Sequence, residues 1–527
     1  MGRAGSRSSK LHQRTLDDAH LTLPTISEVN RFSLLRWLGL VGTLLMGLGG
    51  LGAGALPVVG NPYKDLPGGA FMGRMLQTSS SLVLLGTGLL VTAWLLMGPF
   101  VGAGKQRARV DTPVLIRTLI AWVIPLFFTA PLFTQDIYSY LAQGSIVRQG
   151  LDPYSAGPVE ILGAENHLAR SVPFIWAHSP SPYGPVALGV AALISKLTGD
   201  SILLGVLAHR AVSLCGIAAA TWAVIALARR CDISRPTAIW LGILNPLTVL
   251  HLIGGIHNEA LLLGLVLVGL ELGLKGLERI SSQPASGWGL LISSGALIAC
   301  GGMVKVTGFI ALGFVGMATA RHLEPRLHRW ALPAAAAFQI AVLVAAIAAA
   351  TVATGIGLGW ITGQGGAATI RSWLSVTTDI GITAGFLGSL LGLGDHTEAT
   401  MVVTRSVGLA IALAFMVRLL WATYRGTIHP VGGLGVSTVV LVILFPVVHP
   451  WYALWAILPL AAWANRFAFR AGVALYSAVF SFLVLPRGLA LSAATIATIY
   501  ISAAVAYLLL AGAAWWWYKR AGRRILN

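Results

Sequence analysis

The chain has 527 residues, of which 56% are hydrophobic and only 10% charged, with a formal net charge of +18. That balance excludes a soluble domain and identifies a polytopic membrane protein. The three cysteines, Cys215, Cys231 and Cys300, fall in or beside apolar segments without CxxC or CxxH spacing, which argues against a disulfide framework or a structural zinc site. The basic excess lies in short loops between apolar runs, not on a soluble basic face, so nucleic acid is not an expected partner.

In chain order, residues 1–35 read as a polar, basic, disordered cytoplasmic tail with no signal-peptide pattern. Apolar runs follow at 36–56, 78–100, 115–133, 201–228, 236–254, 260–275, 287–303, 306–320, 331–354, 400–423, 432–447, 451–466, 471–486 and 490–518. Against the ~20 residues that a bilayer requires, these predict an all-α fold of about 13–16 transmembrane helices. Two weaker runs, 184–199 and 380–394, are short, Gly-rich and bounded by Pro, Lys or Asp. The long connections 134–183 and 355–399 are of a length that is usually functional. The organisation read from this is the tail, a membrane module over 36–399 carrying both long loops, and C-terminal transmembrane helices over 400–527.

Charge sets the orientation. With the tail inside, Lys105, Arg107 and Arg109 fall inside, as do Arg229, Arg230, Lys275, Arg279, Arg321, Arg326, Arg329, Arg425, Arg466, Arg470 and the basic C-terminus, provided the two weak runs do not cross. Those runs are therefore expected to be re-entrant or interfacial helices, and both termini cytoplasmic. The polar interruptions Asp136, Tyr183-Gly184-Pro185, His257-Asn258-Glu259, Lys305 and His449-Pro450-Trp451-Tyr452 then all fall on the outer side, which suggests one site at that interface. Each has a plainer reading. Asp136 is a candidate helix N-cap, His257-Asn258-Glu259 a polar turn, Lys305 a snorkelling lysine, Trp451 and Tyr452 interface aromatics, and Arg371 with Asp379 a solvated loop pair. The coincidence of side, more than any single residue, raises the site reading above these.

The stretch Asp136-Ile137-Tyr138-Ser139-Tyr140, with Gly144, Arg148, Gly150 and Asp152-Pro153-Tyr154, resembles the first external loop of GT-C glycosyltransferases. Pro182-Tyr183-Gly184-Pro185, His257-Asn258-Glu259, Lys305 and Trp451-Tyr452 resemble later motifs of that group in the same order. The overall run of sequence is most similar to the polyprenol-phosphomannose-dependent α-(1→6)-mannosyltransferases of actinobacterial lipomannan and lipoarabinomannan synthesis. The resemblance implies a multi-pass plasma-membrane enzyme with an extracytoplasmic site, a polyprenyl-phosphate-mannose donor, a lipid-anchored mannan acceptor and inversion at the anomeric carbon. It implies Asp136 as the base that takes the acceptor proton. Lys305 is the first candidate to stabilise the leaving phosphate, with Arg148 and Arg371 next, and His257 and His449 as hydrogen-bonding partners of phosphate or sugar. Glu259 would orient His257 or bind hydroxyls, and Tyr138, Tyr140, Tyr183, Trp451 and Tyr452 would offer flat faces to pyranose rings. Gln135 stands where the group often has a second acid, so no metal site on adjacent carboxylates is expected; no cofactor is called for, and a divalent ion stays open.

Three other readings compete. A secondary transporter or flippase would place its polar residues near the midplane within repeated halves, and neither is visible here. A GT-C transferase of an arabinosyl or glucosyl unit is poorly separated by sequence alone. A non-catalytic scaffold would not need the polar cluster.

Overall fold

The computed structural model describes residues 26–104, 107–363 and 370–525. Most of the expected tail, residues 1–25, and Lys105 lie outside them. Every regular element among the described residues is helical. We number the principal helices α1 Ile26–Ala53, α2 Leu76–Met97, α3 Thr112–Phe127, α4 Asp136–Arg148, α5 Phe174–Ala177, α6 Pro185–Thr198, α7 Ile202–Arg230, α8 Glu259–Arg279 and α9 Pro284–Gly302. They continue as α10 Ile310–Leu327, α11 Ala331–Thr354, α12 Val376–Leu390, α13 Thr397–Tyr424, α14 Pro430–Leu444, α15 Leu454–Ala461, α16 Phe467–Phe480 and α17 Ala493–Ile525.

Helix α1 begins about three turns before Arg36, where the apolar run starts. Phe32 is buried edge-on against Phe100 at 5.8 Å. Helices α1 and α2 lie backbone to backbone, because a Cβ at Gly42 would stand 2.6 Å from the Gly86 carbonyl oxygen. Such small-residue contacts replace hydrophobic burial as the packing force between helices in lipid.

Among the described residues, eight helical segments are long and apolar enough to cross a bilayer, or nine if one bent pair is a single span. One of the eight, Val306–Thr354, is divided at His328 (φ 45°) into α10 and α11, which pack on each other. Full-length spans are thus fewer than the apolar runs suggested. The other runs fold as shorter helices of 10–17 residues, among them α3, α6, α14 and α16. Proline sets several of these lengths, standing in the first turn of α3, α6 and α14. The weak runs 184–199 and 380–394 become α6, packed along α4, and α12, packed along α13. At 14 and 15 residues each is short of the ~20 needed to cross.

The run 236–254 is not one helix. Two π-helical segments, Ile239–Ile243 and Thr248–Gly254, belong to helices that meet at 58°. The break falls at Asn245-Pro246, where proline offers no N–H. The Asn245 side chain bridges it, accepting from Leu247 N at 2.9 Å while donating to the Leu241 carbonyl at 2.9 Å and to Ser477 Oγ at 2.8 Å. Trp94 and Trp240 clasp this segment to α2, stacked 4.9 Å apart with each indole N–H donating to the other's backbone carbonyl at 2.8 Å.

Arg210 of α7 is fully buried and ties two helix ends together. Its Nη1 donates to the carbonyls of Phe127 and Thr129, both at 2.7 Å, and its Nε to that of Ile253 at 3.3 Å. These carbonyls lie where α3 and the second π-helical segment run out, so no helical N–H reaches them. Replacing Arg210 by Met is expected to leave all three unpaired and cost about 3 kcal/mol or more. A fall in the thermal unfolding midpoint in detergent, with weaker loss for Arg210→Lys, is the measurement that checks it.

Candidate functional site

Two carboxylates sit at helix N-termini. Asp136 is the first residue of α4 and Glu259 the first of α8, positions where the helix dipole favours negative charge. The capping role open to Asp136 is not taken: Gln135 holds the cap position, and the Asp136 carboxylate turns outward. Its Oδ1 accepts from the Trp176 indole N–H at 2.9 Å, and its Oδ2 lies 3.6 Å from His257 Nδ1.

Backbone strain aims both acids. Phe133 (φ 68°) and Ile256 (φ 58°) occupy the left-handed region, which costs a bulky or β-branched residue on the order of 1–3 kcal/mol and persists only when surroundings enforce it. The enforcement at Phe133 comes from far along the chain. Its N–H donates to the Pro486 carbonyl at 2.7 Å, and the turn closes so tightly that a Cβ on Gly488 (φ 70°) would stand 2.9 Å from Thr134 Cα. Ile256 turns the chain out of the second π-helical segment and presents His257.

Glu259 forms an ion pair with Lys305. Lys305 Nζ donates to Glu259 Oε1 at 2.7 Å and to the Tyr452 hydroxyl at 3.0 Å. It stands 4.2 Å from the Tyr452 ring centroid and 5.0 Å from that of Trp455, with those two rings stacked at 4.3 Å. Lys305 lies in the connection between α9 and α10. Burial opposes its charge, but the Glu259 carboxylate outweighs burial and lifts the ammonium above the usual lysine range. Glu259 Oε2 is 4.0 Å from His257 Nδ1, which completes a line from Asp136 through His257 and Glu259 to Lys305. The side chains of Asp136 and Lys305 are each 24% exposed, those of His257 and Glu259 only 2% and 4%. An accessible acid and an accessible cation therefore flank two buried groups that hold them.

Trp451 backs this line. It stacks on His257 at 4.0 Å and on His449 at 4.6 Å, with His251 tilted against it at 4.8 Å. His449 lies in the connection between α14 and the turn at Pro450, and burial pushes its imidazole down to about 4. It is neutral at physiological pH, a hydrogen-bonding group and not a cation. Tyr140 and Tyr183 meet edge-on at 5.3 Å, with Tyr183 Oη donating to Tyr140 Oη at 3.3 Å. Together with Gln143, His209 and Asn258 they line a small pocket.

Of the residues put forward from sequence, the fold gathers Asp136, His257, Glu259, Lys305, His449, Trp451 and Tyr452, with Tyr140 and Tyr183 alongside. It does not gather three others. Tyr138 is fully buried and spends its hydroxyl on the Ala55 carbonyl at 2.8 Å, so its ring face meets no opening. Arg148 is at the far end of α4, about 18 Å along the axis from Asp136, paired with Asp200 at 2.7 Å and donating to Ser195 Oγ at 2.9 Å. Arg371 pairs with Glu398 on the exposed surface. Three residues escaped sequence reading: Trp176, His251 and Trp455. A histidine inside an apolar run was a usable signal for His251; nothing in the spacing marks the two tryptophans.

If the ion pair organises the site, Glu259→Gln should cost about 3 kcal/mol by stranding the Lys305 ammonium, whereas Glu259→Leu combined with Lys305→Met should regain most of that loss. Thermal unfolding of the purified variants reads both outcomes.

Comparison with known proteins identifies the family. The family described as alpha-(1->6)-mannopyranosyltransferase, N-terminal domain, matches residues 36–321, and the MptB C-terminal domain matches residues 377–512. Alpha-(1->6)-mannopyranosyltransferase B of Corynebacterium glutamicum is 59% identical over 96% of this chain and 89% of its own length. An alpha-(1->6)-mannopyranosyltransferase of Mycobacterium tuberculosis is 40% identical over 85% of this chain and 81% of its own. Alpha-(1->6)-mannopyranosyltransferase A of the same organism is 34% identical over 83% and 81%. No solved structure matches the chain. With most of its length covered by these relatives, and its polar interruptions folded into one cluster, the chain belongs to the alpha-(1->6)-mannopyranosyltransferase family and is a multi-pass membrane glycosyltransferase.

Proposed function

We propose that the chain transfers mannose from polyprenyl-phosphate-mannose to the 6-hydroxyl of a lipid-anchored α-(1→6)-mannan, with inversion, on the extracytoplasmic face of the plasma membrane, both termini being cytoplasmic. The observation that carries this reading is the placement of one accessible carboxylate and one accessible ammonium on either side of the buried His257 and Glu259. In a single displacement the acceptor oxygen bonds to C1 as its proton passes to Asp136. The bond from C1 to the phosphate oxygen breaks, and its electron pair leaves with the lipid phosphate. A β-linked donor then yields an α product. One base suffices, since no carboxylate has to act as nucleophile.

Lys305 serves the other end of that displacement. Phosphate needs no proton to leave, but its growing charge is stabilised by a cation already in place. Glu259 neutralises the ammonium at rest without covering it, and the Tyr452 hydroxyl offers a second donor-acceptor group beside it. The neutral imidazole of His449 suits hydrogen bonding to phosphate or sugar. Use of a lipid donor accounts for a transferase built inside a membrane, and the basic loops favour the outer side for the cluster.

Asp136→Asn is expected to lower transfer from polyprenyl-phosphate-mannose to a synthetic α-(1→6)-mannoside by at least about 100-fold while leaving the unfolding midpoint near that of the parent. Retention of activity in a cell-free assay would remove Asp136 as the base. Transfer from a sugar nucleotide in place of the lipid-linked sugar would remove the donor assignment, and inhibition by EDTA would show that a divalent ion takes part.

A further inference from the structure

Trp176 has no part in the displacement as derived so far, yet it makes the one hydrogen bond to the Asp136 side chain among the described residues, 2.9 Å from Nε1 to Oδ1. It lies on α5, a single turn in the loop between α4 and α6, with its ring half-buried. That loop is anchored at the end of the turn and just beyond it. Ala177 is buried, Ser181 N donates to the Pro153 carbonyl at 2.9 Å, and Ser181 Oγ to Gln143 Oε1 of α4 at 3.1 Å. The indole is therefore held in place against Asp136. Two residues before it, Phe174 is 84% exposed and packs edge-on to His178 at 5.9 Å.

The two carboxylate oxygens of Asp136 face different sides. Oδ1 is occupied by Trp176; Oδ2 faces His257, beyond which lie Glu259 and Lys305. The cation that would meet the donor phosphate is thus on the Oδ2 side, and the Trp176 ring is on the other.

We propose that Trp176 forms the floor of the acceptor subsite, taking a mannopyranosyl unit of the acceptor against its half-exposed face, and that its N–H orients Asp136 so that Oδ2 receives the proton. The inference rests on the reading of Asp136 as base. An aromatic face offers the C–H face of a pyranose a flat apolar contact while leaving its hydroxyls free. A 6-hydroxyl sits on a rotatable arm outside the ring, so the ring must be clamped before that oxygen is presented to a base and to C1 at reacting distance. A carboxylate held through one oxygen is fixed in rotamer, with the second oxygen free for the acceptor hydroxyl. In the reaction that hydroxyl gives its proton to Oδ2, its oxygen bonds to the donor C1, and the phosphate leaves toward Lys305.

Full-length protein in detergent is assayed with polyprenyl-phosphate-mannose and a synthetic α-(1→6)-dimannoside. Trp176→Phe keeps a ring and loses the N–H, so kcat should fall about 10- to 100-fold, the worth of a charge-assisted hydrogen bond, with the acceptor KM changed by less than about twofold. Trp176→Leu loses both, and should in addition raise the acceptor KM about 10-fold while leaving the donor KM unchanged. Asp136→Asn is run in parallel. An active Asp136→Asn overturns the reading of the base itself. An inactive Asp136→Asn with normal or raised kcat in Trp176→Phe overturns the orienting role alone. An unchanged acceptor KM in Trp176→Leu overturns the subsite. Unfolding midpoints identify a misfolded variant, and if Trp176→Leu is one, Trp176→Met, which keeps apolar bulk without a flat ring face, replaces it with the same KM criterion.

Discussion

Glu259 is the charge on which the site depends. It is 4% exposed in a chain made for lipid, a setting in which an unpaired carboxylate is untenable. Two features make it tolerable, the N-terminus of α8 behind it and the Lys305 ammonium in front. The same pairing works in reverse. Without Glu259, Lys305 would face a buried pocket of aromatic rings with little to oppose the cost of its charge; with it, the ammonium is held ionised, aimed and still 24% exposed. The pair thus stores a cation at the surface of an apolar interior, which is what a reaction that releases a lipid phosphate calls for.

Placing such groups requires the chain to stop being helical at set points. A regular helix spends its backbone hydrogen bonds internally and spaces its side chains evenly, so it cannot bring residues from five segments to one spot. Here the interruptions lie beside the site: Phe133 and Ile256 in left-handed conformations, the π-helical segment ending at Gly254, and the turn at Pro486–Gly488. Each break frees backbone groups that have to be paired elsewhere. Arg210 collects three of them, and the Asn245 side chain bridges the break at Pro246. Arg210 and Asn245 are thus polar residues of the bundle whose task is to make irregular backbone affordable near the site.

This explains which parts of the protein were legible in its sequence. Lys305, His257, Glu259 and His449 were visible because a polar residue between two apolar runs must lie at a helix end, and helix ends on one side of a membrane can meet. Arg148 carried the same kind of signal and misled, because the 13-residue helix that begins at Asp136 moves it a helix length away, where Asp200 claims it. Tyr138 follows Asp136 by two residues, and two residues along a helix point to another face; its ring went into the core. Apolar runs gave the all-helical class but not the helix lengths, because a run of ~20 apolar residues looks alike whether it is one helix or two short ones meeting at a proline. Trp176 was invisible for a different reason: its importance is a contact across 40 residues that no local pattern encodes.

The site is also divided between the two family-matched stretches of the chain. Asp136, Trp176, His257, Glu259 and Lys305 come from residues 36–321, and His449, Trp451, Tyr452 and Trp455 from residues 377–512. The second stretch supplies the rings on which Lys305 and His257 rest, and through Pro486 it also fixes the backbone three residues before Asp136. Neither stretch holds the complete arrangement, and the acid and the cation are each braced by the half of the protein that does not contain them. Relative motion between the two stretches would therefore disturb base and cation together, so tight packing between them is a condition of the chemistry as much as of stability.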